Sequence, residues 1–192
     1  MKKLTASILT LALAACGAET EEKTDPLLAA LSGSWSTEIN NCTDLNDEFT
    51  EFGYTKLTFE DERMVVTNYV YSDEECSDAL YTKVNNSDLD VVNRAYLASG
   101  DFVTRISINT HTYQLTSHDS GYTEFLNNES YCDIQDSWAT GVAMDTTDCL
   151  GPSSWKLIFM VEGDTLLVGD EDYMGEDGFQ TALDRDAPLY KL

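Results

Sequence analysis

The residues best suited to chemistry are five cysteines and two histidines. A thiol can pair, ligate a metal or attack; an imidazole can ligate or move protons. Cys42, Cys76, Cys132 and Cys149 lie in the body of the chain, and Cys16 stands apart near its start. Lys2 and Lys3 followed by the apolar run Leu4–Ala15 read as a signal segment. The run is much shorter than the roughly 20 residues of a membrane-spanning helix. Export implies an oxidising compartment, where cysteines pair. Four cysteines allow three connectivities. The expected one is sequential, Cys42 with Cys76 and Cys132 with Cys149, because each bridge then joins neighbouring segments of a meandering chain. Loop closure makes each worth about 3–4 kcal/mol. Zinc is the weaker reading, since no C-x-x-C spacing occurs and His111 and His118 are remote from any cysteine in sequence.

Other constellations carry less. His118-Asp119-Ser120 has the letters of a hydrolytic triad. Consecutive residues point in different directions, however, and a triad assembles in space. No G-x-S-x-G elbow is present, so the stretch reads as a surface turn. His111 and His118 would face opposite sides of a continuous strand and would not share a metal. On the EF-hand pattern started at Asp170, Asp172 fits, but Met174 occupies a ligand position and Thr181 replaces the final glutamate. No catalytic residue, metal ligand or cofactor loop is assigned, and the chain is expected not to be an enzyme.

Charge narrows the partners. The 192 residues include 35 acidic and 11 basic side chains, a net charge of −24. A phosphate-binding face needs clustered Lys and Arg, and here they are scattered, so nucleic acid is not an expected partner. Anionic headgroups would repel such a surface. A solvated acidic surface suited to saline surroundings is favoured over an acidic binding face.

The elements that must position these residues are mostly strands. Asp25 to Gly33 forms one short helix signal: Asp25 can cap it, Pro26 suits its first turn and Gly33 can end it. Trp35, Thr37 and Ile39 then alternate, as do Thr55, Leu57 and Phe59. In "FVTRISIN", Phe102, Thr104, Ile106 and Ile108 share one face and Val103, Arg105 and Ser107 the other. "ALYTKVNN" and "SDLDVVNRAYLA" read as two strands, as do "FVTRISIN" and "HTYQLTSH". "WKLIFMVEG" and "TLLVGD" form a hairpin across Gly163-Asp164. Residues 120–154 lack alternation and read as a long loop stapled by Cys132–Cys149, with no second helix. Many antiparallel strands in one domain must hide their edges, and polar residues on both faces favour a closed barrel. The aromatics Tyr69, Tyr71, Tyr81, Tyr96, Phe102 and Tyr113 either line a cavity or pack across strands.

Leu13-Ala14-Ala15-Cys16 resembles the lipobox of bacterial lipoproteins. The resemblance implies cleavage before Cys16, a diacylglycerol thioether on its sulfur and acylation of its amine. That accounts for the odd cysteine. Gly17, where an aspartate would signal inner-membrane retention, implies the outer membrane facing the periplasm. Gly33-Ser34-Trp35 at the start of the first strand resembles the lipocalin G-x-W signature. It implies an eight-stranded barrel closed by Trp35, with Arg185 as the candidate for the arginine beside it. Trp35, Cys42, the Tyr69–Asp73 stretch, Cys76 and Tyr81 are similar to the cysteine-bearing barrel of the adenomatosis polyposis coli down-regulated 1 family and its bacterial lipoprotein relatives.

These observations lead to an all-β, lipocalin-like antiparallel barrel of about eight strands with a short N-terminal helix. Residues 1–15 are expected to form the signal peptide, 16–27 the lipidated cysteine and polar tether, and 28–192 the barrel. The expected function is binding of a small apolar or amphipathic, lipid-like ligand, with ligand-binding residues unassigned, no cofactor, and membrane contact through the lipid anchor only. The alternative is an interaction module with a filled barrel and an acidic surface for a protein partner that the sequence does not identify.

Overall fold

The computed structural model describes residues 26–37, 42–46 and 51–192. The signal segment, Cys16, the tether as far as Asp25, and Ile39 lie outside the described residues. The chain forms α1 (Pro26–Leu31), β1 (Gly33–Ser36), β2 (Thr43–Asn46), β3 (Glu51–Glu60), β4 (Arg63–Tyr71), β5 (Ala79–Tyr96) and β6 (Phe102–Ser117). It continues through α2 (Ser120–Asn128), β7 (Ala143–Asp145), α3 (Thr147–Leu150), β8 (Ser153–Glu162), β9 (Thr165–Val168) and β10 (Leu189–Lys191).

The strands follow the order β1-β3-β4-β5-β6-β8-β9-β10, and β10 pairs back onto β1. Every pairing is antiparallel. The result is a closed eight-stranded barrel with a short N-terminal helix, the lipocalin-like architecture expected. Closure removes the open edges that so many strands would otherwise expose. Short β2 lies beside β3, and β7 continues the sheet beside β6. The β8–β9 turn places Gly163 at φ 63°, a conformation that glycine adopts without a Cβ clash.

Alternation builds the interior. Leu57, Phe59, Met64, Val66, Ile106, Ile108 and Phe159 meet inside, and Leu28 and Leu31 of α1 close the cluster at one end. Phe59 and Phe159 pack edge-to-face at 5.9 Å. The outer face is buried in part as well. Val103, Ile158 and Leu167 point outward and are covered by Phe179 and Leu183 of the segment between β9 and β10. A third cluster joins Val70, Tyr81 and Leu115 to Leu126 and Trp138.

Two expectations are corrected. The four strands read within 79–117 are two long ones, because cross-strand pairs such as Asn86 with Thr112 carry the ladder through the polar stretch. The extra residues His111 and Val92 are absorbed as bulges. Residues 120–154 do not form a plain loop, since they include α2, α3 and β7. Asp119 starts α2 as its N-cap, its carboxylate accepting from the Tyr122 amide at 2.7 Å.

Candidate functional site

Opposite ends of the barrel differ. At the α1 end, Trp35 is fully buried and its indole N–H donates to the Leu31 carbonyl at 2.7 Å. The cation beside the ring is Lys191, whose Nζ lies 5.3 Å from the centroid. Arg185 does not take that place. It sits outside the barrel, bound to Asp101 at 2.8 Å with Glu162 at 3.9 Å. Register explains the exchange: Lys191 is the β10 partner of Trp35, whereas Arg185 precedes the strand.

The other end is open. A cavity of about 520 Å³ enters the barrel there. Leu57, Met64, Val66, Leu157, Phe159, Val168 and Leu189 form its walls, and Thr37, Thr55 and Trp155 stand nearer its mouth. The volume falls within the range of small-molecule sites. Trp155 keeps 37% of its surface exposed, and its indole N–H donates to Thr110 Oγ1 at 3.2 Å. Asp170, Glu171, Asp172 and Asp184 line one side of the opening.

Those carboxylates are held by the segment between β9 and β10. Beyond β9, the Gly169 amide still donates to the Ile158 carbonyl, and the Asp184 amide donates to the Val168 carbonyl. Buried Gln180 completes the edge of β8: its carboxamide accepts from the Ile158 amide and donates to the Lys156 carbonyl, both at 3.2 Å. A Cβ at position 169 would lie 2.7 Å from the Gln180 side chain, so glycine is required at this approach. Outside the wall, Arg105 binds Asp177 at 2.7 Å and its guanidinium lies 4.9 Å from the Phe179 ring centroid. The Phe179 amide, with help from Arg105, holds the Asp177 carboxyl below its usual range. Asp170 accepts from the Asp172 amide, and Asp184 from the amides of Asp186 and Ala187. The carboxylates of Glu171 and Asp172 have no hydrogen-bonding or ionic partner among the described residues.

The other candidates fall elsewhere. Both bridges, Cys42–Cys76 and Cys132–Cys149, are formed. His111 bonds Asp88 at 2.8 Å, and His118 bonds Thr82 at 2.8 Å, on separate parts of the molecule. Among the described residues, no three His, Cys, Asp or Glu side chains are grouped to hold a metal ion. The six aromatics considered from sequence pack against other groups and do not line the cavity. Tyr69 and Tyr71 stack with Tyr54, whose phenol burial pushes up to about 12. Tyr81 stacks on Tyr122, and Tyr96 packs against Phe102 with the rings tilted by 42°. Tyr113 bonds Ser153. The aromatics that line the cavity are Trp155 and Phe159, which the alternation of Trp155, Leu157 and Phe159 along one strand face could have revealed. A scan of protein-family models and a search of curated proteins find no match to this chain.

Proposed function

We propose that this protein is a lipid-anchored envelope lipoprotein, related to the lipocalin-like and adenomatosis polyposis coli down-regulated 1-like barrels, that binds a small amphipathic ligand. The supporting observation is the cavity of about 520 Å³, apolar inside and polar at its mouth. Such a site needs no covalent chemistry: burial of the ligand's apolar surface drives binding and the rim orients its polar end. The reading assigns binding rather than catalysis. Anchoring at Cys16 and an outer-membrane location facing the periplasm rest on the lipobox-like sequence.

Native mass spectrometry tests the binding role. The mature chain carrying Cys16→Ser would be secreted behind an unlipidated signal and purified without detergent. A mass excess lost on denaturation, and absent from a cavity-filling Leu157→Trp variant, is the expected result. A ligand-free mass together with no uptake of any amphiphile offered would overturn it and favour a filled module for a protein partner.

A further inference from the structure

We propose that the ligand is an amphipathic organic cation, an apolar body of modest size ending in an ammonium or amidinium group. The inference rests on the reading that the cavity binds a ligand, and it specifies that ligand's charge. Three features converge on one opening. The cavity measures about 520 Å³, and its inner walls are apolar. The indole of Trp155 lines this cavity and keeps 37% of its surface exposed. Beside the same opening stand Asp170, Glu171, Asp172 and Asp184.

An indole face and a carboxylate both attract a cation, the first through its quadrupole and the second through its charge. Together they discriminate against a fatty acid, whose carboxylate would lie among like charges. The neighbouring cations do not neutralise the rim. Arg105 and Lys156 are committed to Asp177, and Arg185 to Asp101 and Glu162. Lys83 lies over the Tyr81 ring and is not part of the cavity lining. The carboxylates of Glu171 and Asp172 support no local hydrogen bond, so the fold does not account for their charge. Nor do the four form a chelating cluster: no metal-holding group is found among the described residues.

Calorimetry with three probes of equal chain length tests the idea. Decyltrimethylammonium, decanol and decanoate would be titrated below micellar concentrations into the secreted Cys16→Ser protein at low salt. Decyltrimethylammonium should bind about tenfold or more tightly than decanoate, the scale expected from one or two screened charge contacts. Glu171→Gln with Asp172→Asn should remove most of that preference. Glu74→Gln with Glu75→Gln removes equal charge elsewhere and should leave it intact. Leu157→Trp should abolish uptake. Equal binding of the three probes, or tighter binding of decanoate, would overturn the cation and leave the cavity reading standing. Equal loss in both charge variants, or binding that survives Leu157→Trp, would reduce the preference to nonspecific attraction and overturn it also. If no probe binds, the cavity reading itself fails and takes this inference with it.

Discussion

Lys191 and Trp35 are cross-strand partners, and the lysine ammonium stands 5.3 Å from the centre of the indole. This pair occupies the closed end of the barrel, beneath α1. The two residues should not matter equally. Trp35→Ala removes a fully buried indole and should cost about 3–5 kcal/mol. Lys191→Met keeps the aliphatic stem and loses a cation–π contact worth about 0.5–1 kcal/mol. Arg185→Ala breaks exposed ion pairs and should cost no more than about 1 kcal/mol. Urea unfolding of the three variants gives the order, and an Arg185→Ala loss rivalling that of Trp35→Ala would contradict it.

Gln180 makes a second prediction. It is polar yet almost fully buried, because its carboxamide stands in for a missing strand along the edge of β8. Gln180→Leu would leave the Ile158 amide and Lys156 carbonyl without partners, at about 1–3 kcal/mol for each group. Amide exchange should show the Ile158 N–H losing protection first. Gln180→Glu should not rescue the loss, since a carboxylate cannot donate to the Lys156 carbonyl. Full stability in Gln180→Glu would mean that shape, rather than hydrogen bonding, sets the requirement.

Acid should loosen the turn that carries Cys76. The Asp73 carboxyl is held below its ordinary value by the backbone N–H groups of Asp78 and Ser77, with the Ser77 hydroxyl and the Glu75 N–H assisting. A folded pKa below the unfolded one contributes stability that is present above the unfolded value, about 3.9, and lost as pH falls through the folded value. The Ser77 and Asp78 amide resonances should therefore move together only below about pH 4. Asp73→Asn should imitate the acid form at neutral pH. Amide shifts that titrate near neutrality would point to another group.

The strand alternation of Leu57 and Phe59, and of Ile106 and Ile108, was legible in the sequence because those side chains point into one shared interior. Periodicity could not show that the opposite face of β6 and β8 is buried too. Val103 and Ile158 lie under Phe179, more than a dozen residues from either in sequence, and only tertiary packing brings them together. The helix α2 was hidden for a related reason. Its sequence opens with Ser120-Gly121, closes with Asn127-Asn128 and buries only Thr123 and Leu126. The cavity mouth combines Trp155 of β8 with acidic residues of a later segment. Each reads locally as ordinary strand or solvated loop, and their meeting is a property of barrel closure.

The segment between β6 and β8 provides the last prediction. Its buried residues Leu126 and Trp138 form a cluster with Val70, Tyr81 and Leu115, separate from the main interior cluster. Cys132–Cys149 closes a loop with a sequence separation of 17, and none of its residues lines the cavity. Replacing both cysteines by serine should cost about 3 kcal/mol by loop entropy. Because the two clusters are distinct, the cost should fall locally. Protection should drop at the Trp138 amide, which donates to the Asn127 side chain, while Ile106 and Ile108 keep theirs. Ligand uptake should survive, since the cavity walls come from β3, β4, β8, β9 and β10. Equal loss of protection at Trp138 and Ile106 would instead make the cap and barrel one cooperative unit. The disulfide would then bear on the cavity through global stability.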